Sequence, residues 1–317
     1  MYRQFYNLTC NPFDISPDPY FFFPTPRHNE ALALLNYGVI RRKGFAVVTG
    51  EVGTGKTLLV RCLLESLTQH KIAFAYIYNP ILTVQNFLEQ VLADLGLPAP
   101  SSKNEALARL NNFLMTRSRD DLITALVVDE AQLLSVELLE EIRLLTNLET
   151  TRHKLLQIVL AGQPELDRKL DSHQLRQLKQ RVGVRCSLLP LGASEVNGYI
   201  HRRLELAGAQ KEIFSAEAIE TIYLLSRGIP RLINTICENS LMLAYGLQAA
   251  EITPAIVREV AADFHLDQPA TEAVAAEPEA DTHNGPMIGM RLLNRQPKQE
   301  VGLAAGRQVQ KTGLRQG

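Results

Sequence analysis

The residues Gly50-Glu51-Val52-Gly53-Thr54-Gly55-Lys56-Thr57 have the spacing Gly-x-x-x-x-Gly-Lys-Thr, that of a loop that wraps a phosphate. Glycines let the backbone turn tightly enough for successive N–H groups to face one anion. A helix that follows adds roughly half a positive charge at its N-terminus. In such a loop Lys56 reaches the outer phosphates of a nucleotide and the Thr57 hydroxyl is offered to Mg2+, with Leu58 counted as the last residue of the nucleotide-contacting block. A second pair, Asp129-Glu130, ends the apolar run 122–128. Open α/β sheets bind ligands at the carboxyl ends of their strands, so Asp129 is placed to hold Mg2+ and Glu130 to orient and deprotonate an attacking water. The plain alternatives are a glycine-rich turn and an acidic helix start. Against them stands the loop's place between a strand-like and a helix-like run, and a chance match arises on the order of once in a hundred chains of this length.

These residues need a scaffold, and the hydrophobic pattern describes one. Strand-like runs at 45–49, 72–78, 122–128 and 155–160 alternate with helix-like runs at 27–43, 58–67, 84–95, 104–116 and 136–148. That alternation predicts a parallel sheet flanked by helices. Asn79 follows the second strand, and Gln163 follows the fourth, where a polar side chain is placed to touch a γ-phosphate or the attacking water; an ordinary turn residue is the alternative. Residues 165–185 carry Arg168, Lys169, Arg176, Lys179, Arg181 and Arg185, either a solvated basic face or a source of charge for a neighbouring subunit's site. From Ser194 onward the pattern is helical throughout, with runs at 195–206, 216–226, 230–245 and 254–264, which predicts a small all-α domain. Arg231 stands at the N-terminus of one of these helices, where its charge opposes the dipole. An anionic ligand explains that placement, and so does a surface salt bridge.

The expected organisation is an N-terminal arm over 1–26, an α/β nucleotide-binding domain over 27–192, a helical lid over 193–268 and a disordered tail over 269–317. The arm is rich in Pro and aromatics, which excludes a long helix and calls for burial, either against the adenine pocket or as plain packing. The net charge of −1 excludes a uniformly basic nucleic-acid binder. The tail is nonetheless polarised, with four acidic residues within 270–284 and then six basic residues against one acidic to the end. Four scattered cysteines and seven unclustered histidines favour free thiols in a reducing cytoplasm and no structural metal. No apolar run reaches the roughly 18 to 20 residues that cross a bilayer.

Taken as a set, these motifs resemble an AAA+ ATPase. The opening, with Asn11-Pro12-Phe13 and Pro17-Asp18-Pro19, and the segments GFAVVTGEVGTGKT, VVDEAQLL, LLTNLET, LAGQPEL, LKQRVGVRCSLLPL and GIPRLIN are more specifically similar to the general secretion pathway protein A (ExeA-type) family, over about residues 1–265. The resemblance implies ATP hydrolysis with Mg2+ and a homo-oligomer. It also implies a protein partner in a cell-envelope assembly, met from the cytoplasm or at the inner-membrane face. It further implies that Asn79 restrains Glu130, that Gln163 senses the γ-phosphate, that Arg181 is an arginine finger and that Arg231 is a second sensor in the lid. Secretion-pathway members of this type continue into a membrane span and a periplasmic peptidoglycan-binding region, which this sequence does not show. Pilus-biogenesis and polysaccharide-export assemblies therefore stand beside secretion among the implied clients. Transposition-type AAA+ regulators share the motifs and bind DNA, which leaves ATP-dependent DNA binding as a second reading.

Overall fold

The computed structural model describes residues 1–266; the tail read as disordered lies outside the described residues. Five strands, β1 Phe45–Gly50, β2 Ala73–Ile77, β3 Thr124–Val128, β4 Leu156–Gly162 and β5 Val184–Leu188, form one sheet in the order β2-β3-β4-β1-β5. All four pairings are parallel. The helices are α1 Tyr2–Phe5, α2 Pro26–Ile40, α3 Lys56–Gln69, α4 Val84–Asp94, α5 Lys103–Arg119, α6 Val136–Leu145, α7 Pro164–Leu170, α8 Arg176–Lys179, α9 Ala193–Leu206, α10 Ala216–Ser226, α11 Pro230–Gly246 and α12 Pro254–Asp263. The fold is therefore a five-stranded parallel α/β sheet with a C-terminal helical lid. No helix among the described residues is long and apolar enough to cross a membrane.

The central strands β1, β3 and β4 are buried at every position because both of their faces are covered. Phe45 and Val47 point with Ile77, Leu126 and Leu160 into a core that includes Phe87, Leu110 and Ile142 of α4, α5 and α6. Their neighbours Ala46 and Val48 point the other way, with Val127 and Val159, onto Leu35 of α2 and Leu63 of α3. Each fully buried Val, Leu, Ile or Phe among them contributes about 1.5–3 kcal/mol. The fifth strand was not legible in the basic run. Val184 and Leu188 are buried, but Arg185 and Ser187 between them are exposed, as suits an edge strand. The run 165–185 is thus not one face: it is divided among α7, a 3-10 turn at His173–Leu175, α8 and the start of β5.

Strand order decides where the site can be. β1 lies between β4 and β5, with Thr49 level with Gly162, and β3 lies between β2 and β4, with Val128 level with Leu160. The carboxyl ends of β1, β3 and β4 therefore meet along one edge. The residues that follow them, Gly50–Thr57, Asp129-Glu130 and Gln163, are brought to that edge together.

The lid helices α9 to α12 enclose their own apolar core, including Ile200, Ile222, Ile233, Leu241 and Val257. Their starts are marked by chemistry close to that expected: the Ser215 hydroxyl accepts the Ala218 N–H at 3.1 Å, and Pro230 and Pro254 open α11 and α12. Helix α9 begins with Gly192 as its N-cap, the Glu195 carboxylate accepting the Gly192 N–H at 2.8 Å. The N-terminal arm packs into this lid core. Phe13 is fully buried with its ring 6.0 Å from that of Phe214, the Thr9 N–H donates to Ala207 O at 2.8 Å, and the Tyr2 hydroxyl donates to the Glu238 carboxylate at 2.8 Å. Further on, Arg61 of α3 donates to Pro17 O. The arm is a strap that starts on the lid and reaches the α/β core.

Gly228 fixes the lid loop ahead of α11. Its φ of +74° is left-handed, and a Cβ there would lie 2.0 Å from Leu191 O, whose own N–H donates to Gly228 O at 2.8 Å. We expect Gly228→Ala to cost about 2–4 kcal/mol in urea unfolding. Gly246→Ala, where nothing lies within 4 Å of the added carbon, should be neutral or stabilising by up to about 1 kcal/mol. Equal stability of the two variants would refute the packing argument.

Candidate functional site

The turn after β1 brings its backbone round in two left-handed steps, Gly53 at φ +81° and Gly55 at φ +95°. Gly55 is the N-cap of the 14-residue α3, and no side chain caps that helix. Its first N–H groups are left for an anion. Lys56 is 6% exposed and folds back over the loop, Nζ donating to Gly50 O and Glu51 O at 2.8 Å each. Burial lowers the pKa of this ammonium, while the negative charges of Glu130 and Asp129 oppose the shift. The Thr54 hydroxyl, also buried, closes the turn by donating to Glu51 O at 2.8 Å.

Asp129 is buried at the end of β3, and burial raises its pKa. The Glu130 N–H, which it accepts at 2.8 Å, and the Thr57 hydroxyl beside it hold the carboxylate in its charged form. The Tyr76 hydroxyl of β2 lies against the same carboxylate, and burial followed by that negative charge pushes its pKa up to about 12. Glu130 sits in the left-handed region at φ +49°, a conformation that costs a side-chain-bearing residue free energy and recurs at functional sites. Its carboxylate accepts from Gln132 Nε2 at 2.5 Å and from Gln163 Nε2 at 3.5 Å. Gln132 in turn accepts the Gln163 N–H at 3.0 Å. Gln132 thus bridges the ends of β3 and β4. Sequence reasoning passed over it as part of a helix start; its place two residues after Glu130 was the only signal.

The lid supplies the opposite wall. Arg231 N–H donates to Gly53 O at 3.3 Å, and a Cβ on Gly53 would lie 2.8 Å from Arg231 Cβ and 2.9 Å from Ile229 Cγ2. The start of α11 therefore rests directly on the phosphate loop. None of the ion pairs among the described residues includes Arg231. Between the two walls is a cavity of about 360 Å3 lined by Val52, Gly53, Gly55, Lys56, Thr57 and Leu58 from the loop. Glu130, Gln163 and Arg231 line it as well, and Ile15 to Pro17 of the arm close one side. Two residues singled out in the sequence lie elsewhere. Asn79 is exposed, and its Oδ1 accepts the Ile81 N–H at 3.5 Å rather than any proton near Glu130. The Arg181 guanidinium donates to Arg143 O at 3.2 Å and to the Thr146 hydroxyl, both on or next to α6 of its own chain.

His28 of α2 supports the loop from behind. Its Nδ1 is 2.7 Å from the Thr25 hydroxyl, and its ring lies beside the Thr54 backbone. Burial lowers its pKa below the ordinary 6.5, with the Thr54 contact and Glu195 opposing. The folded state thus binds neutral imidazole, and stability from this residue is complete above the unfolded pKa and declines as pH falls below about 6.5 towards the lower folded value. Thermal unfolding of the wild type and His28→Asn at about pH 7.5 and about pH 5.5 checks this. The gap between them should narrow on acidification, and a gap that widens would contradict the burial argument.

The model of a family described as AAA domain matches residues 40–170. The chain is 46% identical over 254 residues to the general secretion pathway protein A of Aeromonas hydrophila, an alignment that takes in 77% of this chain and 45% of that one. The chain thus spans under half the length of this curated relative. Among solved structures, Cdc6p from Pyrobaculum aerophilum is similar with a TM-score of 0.65 at 23% identity, over 81% of this chain and 71% of that one. The RuvB Holliday junction branch migration motor of Thermotoga maritima is similar with a TM-score of 0.50 at 17% identity, over 76% and 70%. These two likenesses concern the fold alone. Phosphate loop, parallel sheet, helical lid and sequence identity agree: the chain is an AAA domain protein, similar to general secretion pathway protein A.

Proposed function

We propose that this chain binds ATP with Mg2+ between its phosphate loop and its lid and hydrolyses it. We further propose that it works as an oligomer to power or license a cell-envelope assembly of the secretion, pilus or polysaccharide-export kind from the cytoplasmic side. Support comes from one cavity, in which Lys56 and Thr57 of the loop, Glu130 at the end of β3, Gln163 at the end of β4 and Arg231 of the lid face a common space. The proposed organisation is arm 1–26, nucleotide-binding domain 27–192 and lid 193–268. Similarity to general secretion pathway protein A supports the choice of client class.

The residues present suit Mg2+. The Thr57 hydroxyl lies beside the Asp129 carboxylate, and no cluster of three or more His, Cys, Asp or Glu suited to a metal occurs among the described residues. That is the usual protein share of a Mg2+–nucleotide site, where phosphates and water complete the coordination. Bound there, Mg2+ supplies charge neutralisation between the phosphates. In this reading Lys56 leaves the loop carbonyls for the phosphate oxygens, and Glu130 takes the proton of the attacking water. Gln132 and Gln163 hold the Glu130 carboxylate in place, and Arg231 adds positive charge from the lid. Arg181 is proposed to serve a neighbouring subunit, for which it has to leave Thr146.

Calorimetric titration with Mg·ATP, paired with a turnover assay, tests the division of roles. Lys56→Ala should abolish binding, whereas Glu130→Gln should bind like the wild type and lose turnover by about 10²–10⁴-fold. Equal loss of binding in both variants would remove Glu130 from the role of base.

A further inference from the structure

A second arginine lines the same cavity and has no place in the proposed chemistry. Arg203 of α9 is 3% exposed. Its guanidinium carbon lies 4.9 Å from the Phe21 ring centroid and 5.1 Å from that of Tyr199, and Nη1 donates to Pro12 O at 2.6 Å. None of the ion pairs among the described residues includes it. Nε is buried without a hydrogen-bond partner. A buried guanidinium that offers five N–H donors and is matched by one carbonyl and two aromatic faces is under-satisfied. Leaving such a donor unpaired costs about 1–3 kcal/mol, more when the group is charged.

The position of Arg203 says which part of a ligand meets it. The phosphate loop, Lys56 and Arg231 already supply donors for phosphates. Arg203 is tied instead to Tyr199, through it to Asn234 of the lid, and to Pro12 of the arm; Tyr199, Asn234 and Ile15 to Pro17 line the same cavity. There the Tyr199 hydroxyl donates to Asn234 Oδ1 at 2.8 Å, and the Asn234 amide reaches Asp14 O at 3.5 Å. This wall has apolar surface from Ile15 and Pro17 and one fixed cation wedged between two rings, which suits a flat heterocycle with an acceptor at its edge, or a sugar oxygen. Resting on the nucleotide reading above, we propose that Arg203 is a binding residue for the nucleoside end of the nucleotide, donating a guanidinium N–H to a base or sugar acceptor. Through Pro12 the same guanidinium ties base recognition to the N-terminal arm.

Binding of the nonhydrolysable imido analogue of ATP and of inorganic tripolyphosphate, each with Mg2+, separates this role from phosphate binding. Arg203→Lys keeps the charge and removes the guanidinium fork. Its affinity for the ATP analogue should fall about tenfold or more, while its affinity for tripolyphosphate stays within about twofold of wild type. Equal affinity for the analogue in both proteins, or equal loss for both ligands, would overturn the proposal while leaving the nucleotide site intact. Failure of the wild type to bind either ligand would overturn the nucleotide reading and this proposal with it. A measurement on the unaltered chain covers a variant that does not fold: the Arg203 Nε–H nitrogen resonance should shift with the ATP analogue and stay put with tripolyphosphate. A resonance that responds equally to both would overturn the proposal. Comparing adenosine, 2′-deoxyadenosine and cytidine triphosphates then tells a base acceptor from a sugar acceptor.

Discussion

The contact between Gly53 and the start of α11 is what the site depends on. A phosphate loop needs its backbone N–H groups free on one side, and here the other side of the same turn carries the lid. Arg231 N–H reaches Gly53 O, and Arg231 Cβ and Ile229 Cγ2 pack where a side chain on Gly53 would be. Without a Cβ, Gly53 accepts both the left-handed conformation and this close approach. The loop preceding α11 is held from its far end by Gly228, pressed onto Leu191 in the link between sheet and lid. Two glycines far apart in sequence thus bring the lid down onto the loop, and the cavity exists because they do.

The charges inside this cavity are mutually supporting. The negative charges of Glu130 and Asp129 favour the charged form of Lys56, and burial opposes the charged form of both Lys56 and Asp129. The loop carbonyls under Lys56, the Glu130 N–H beside Asp129 and the two glutamine amides on Glu130 supply what water would otherwise provide. A polar network of this kind is costly if incomplete and rigid when satisfied. It holds the Glu130 carboxylate by amides from the ends of two strands.

Much of the fold was legible because its signals are local. Apolar runs for the first four strands, glycines in the loop, and Ser215, Pro230 and Pro254 at lid helix starts each act within a few residues. β5 was hidden because an edge strand alternates, and Arg185 and Ser187 interrupted the only signal it had. The positions of Lys56, Thr57, Asp129, Glu130 and Gln163 around one space follow from strand order, which alternation of strand and helix suggests but does not dictate. Gln132 and Arg203 were not legible: one acts through a strand neighbour, the other through an arm about 190 positions away in sequence. The arm itself shows the limit of composition, which called for burial of its aromatics without saying that Phe13 goes to the lid and Pro17 to α3.

Amide hydrogen exchange on the full chain, with and without Mg·ATP, tests most directly whether loop and lid form one nucleotide site. The account requires the amides of residues 53–56 and of 229 and 231 to slow together, because ligand between the walls stabilises the Gly53–Arg231 contact as well as the loop. Slowing confined to the loop, with exchange at 229 and 231 unchanged at saturating nucleotide, would contradict it.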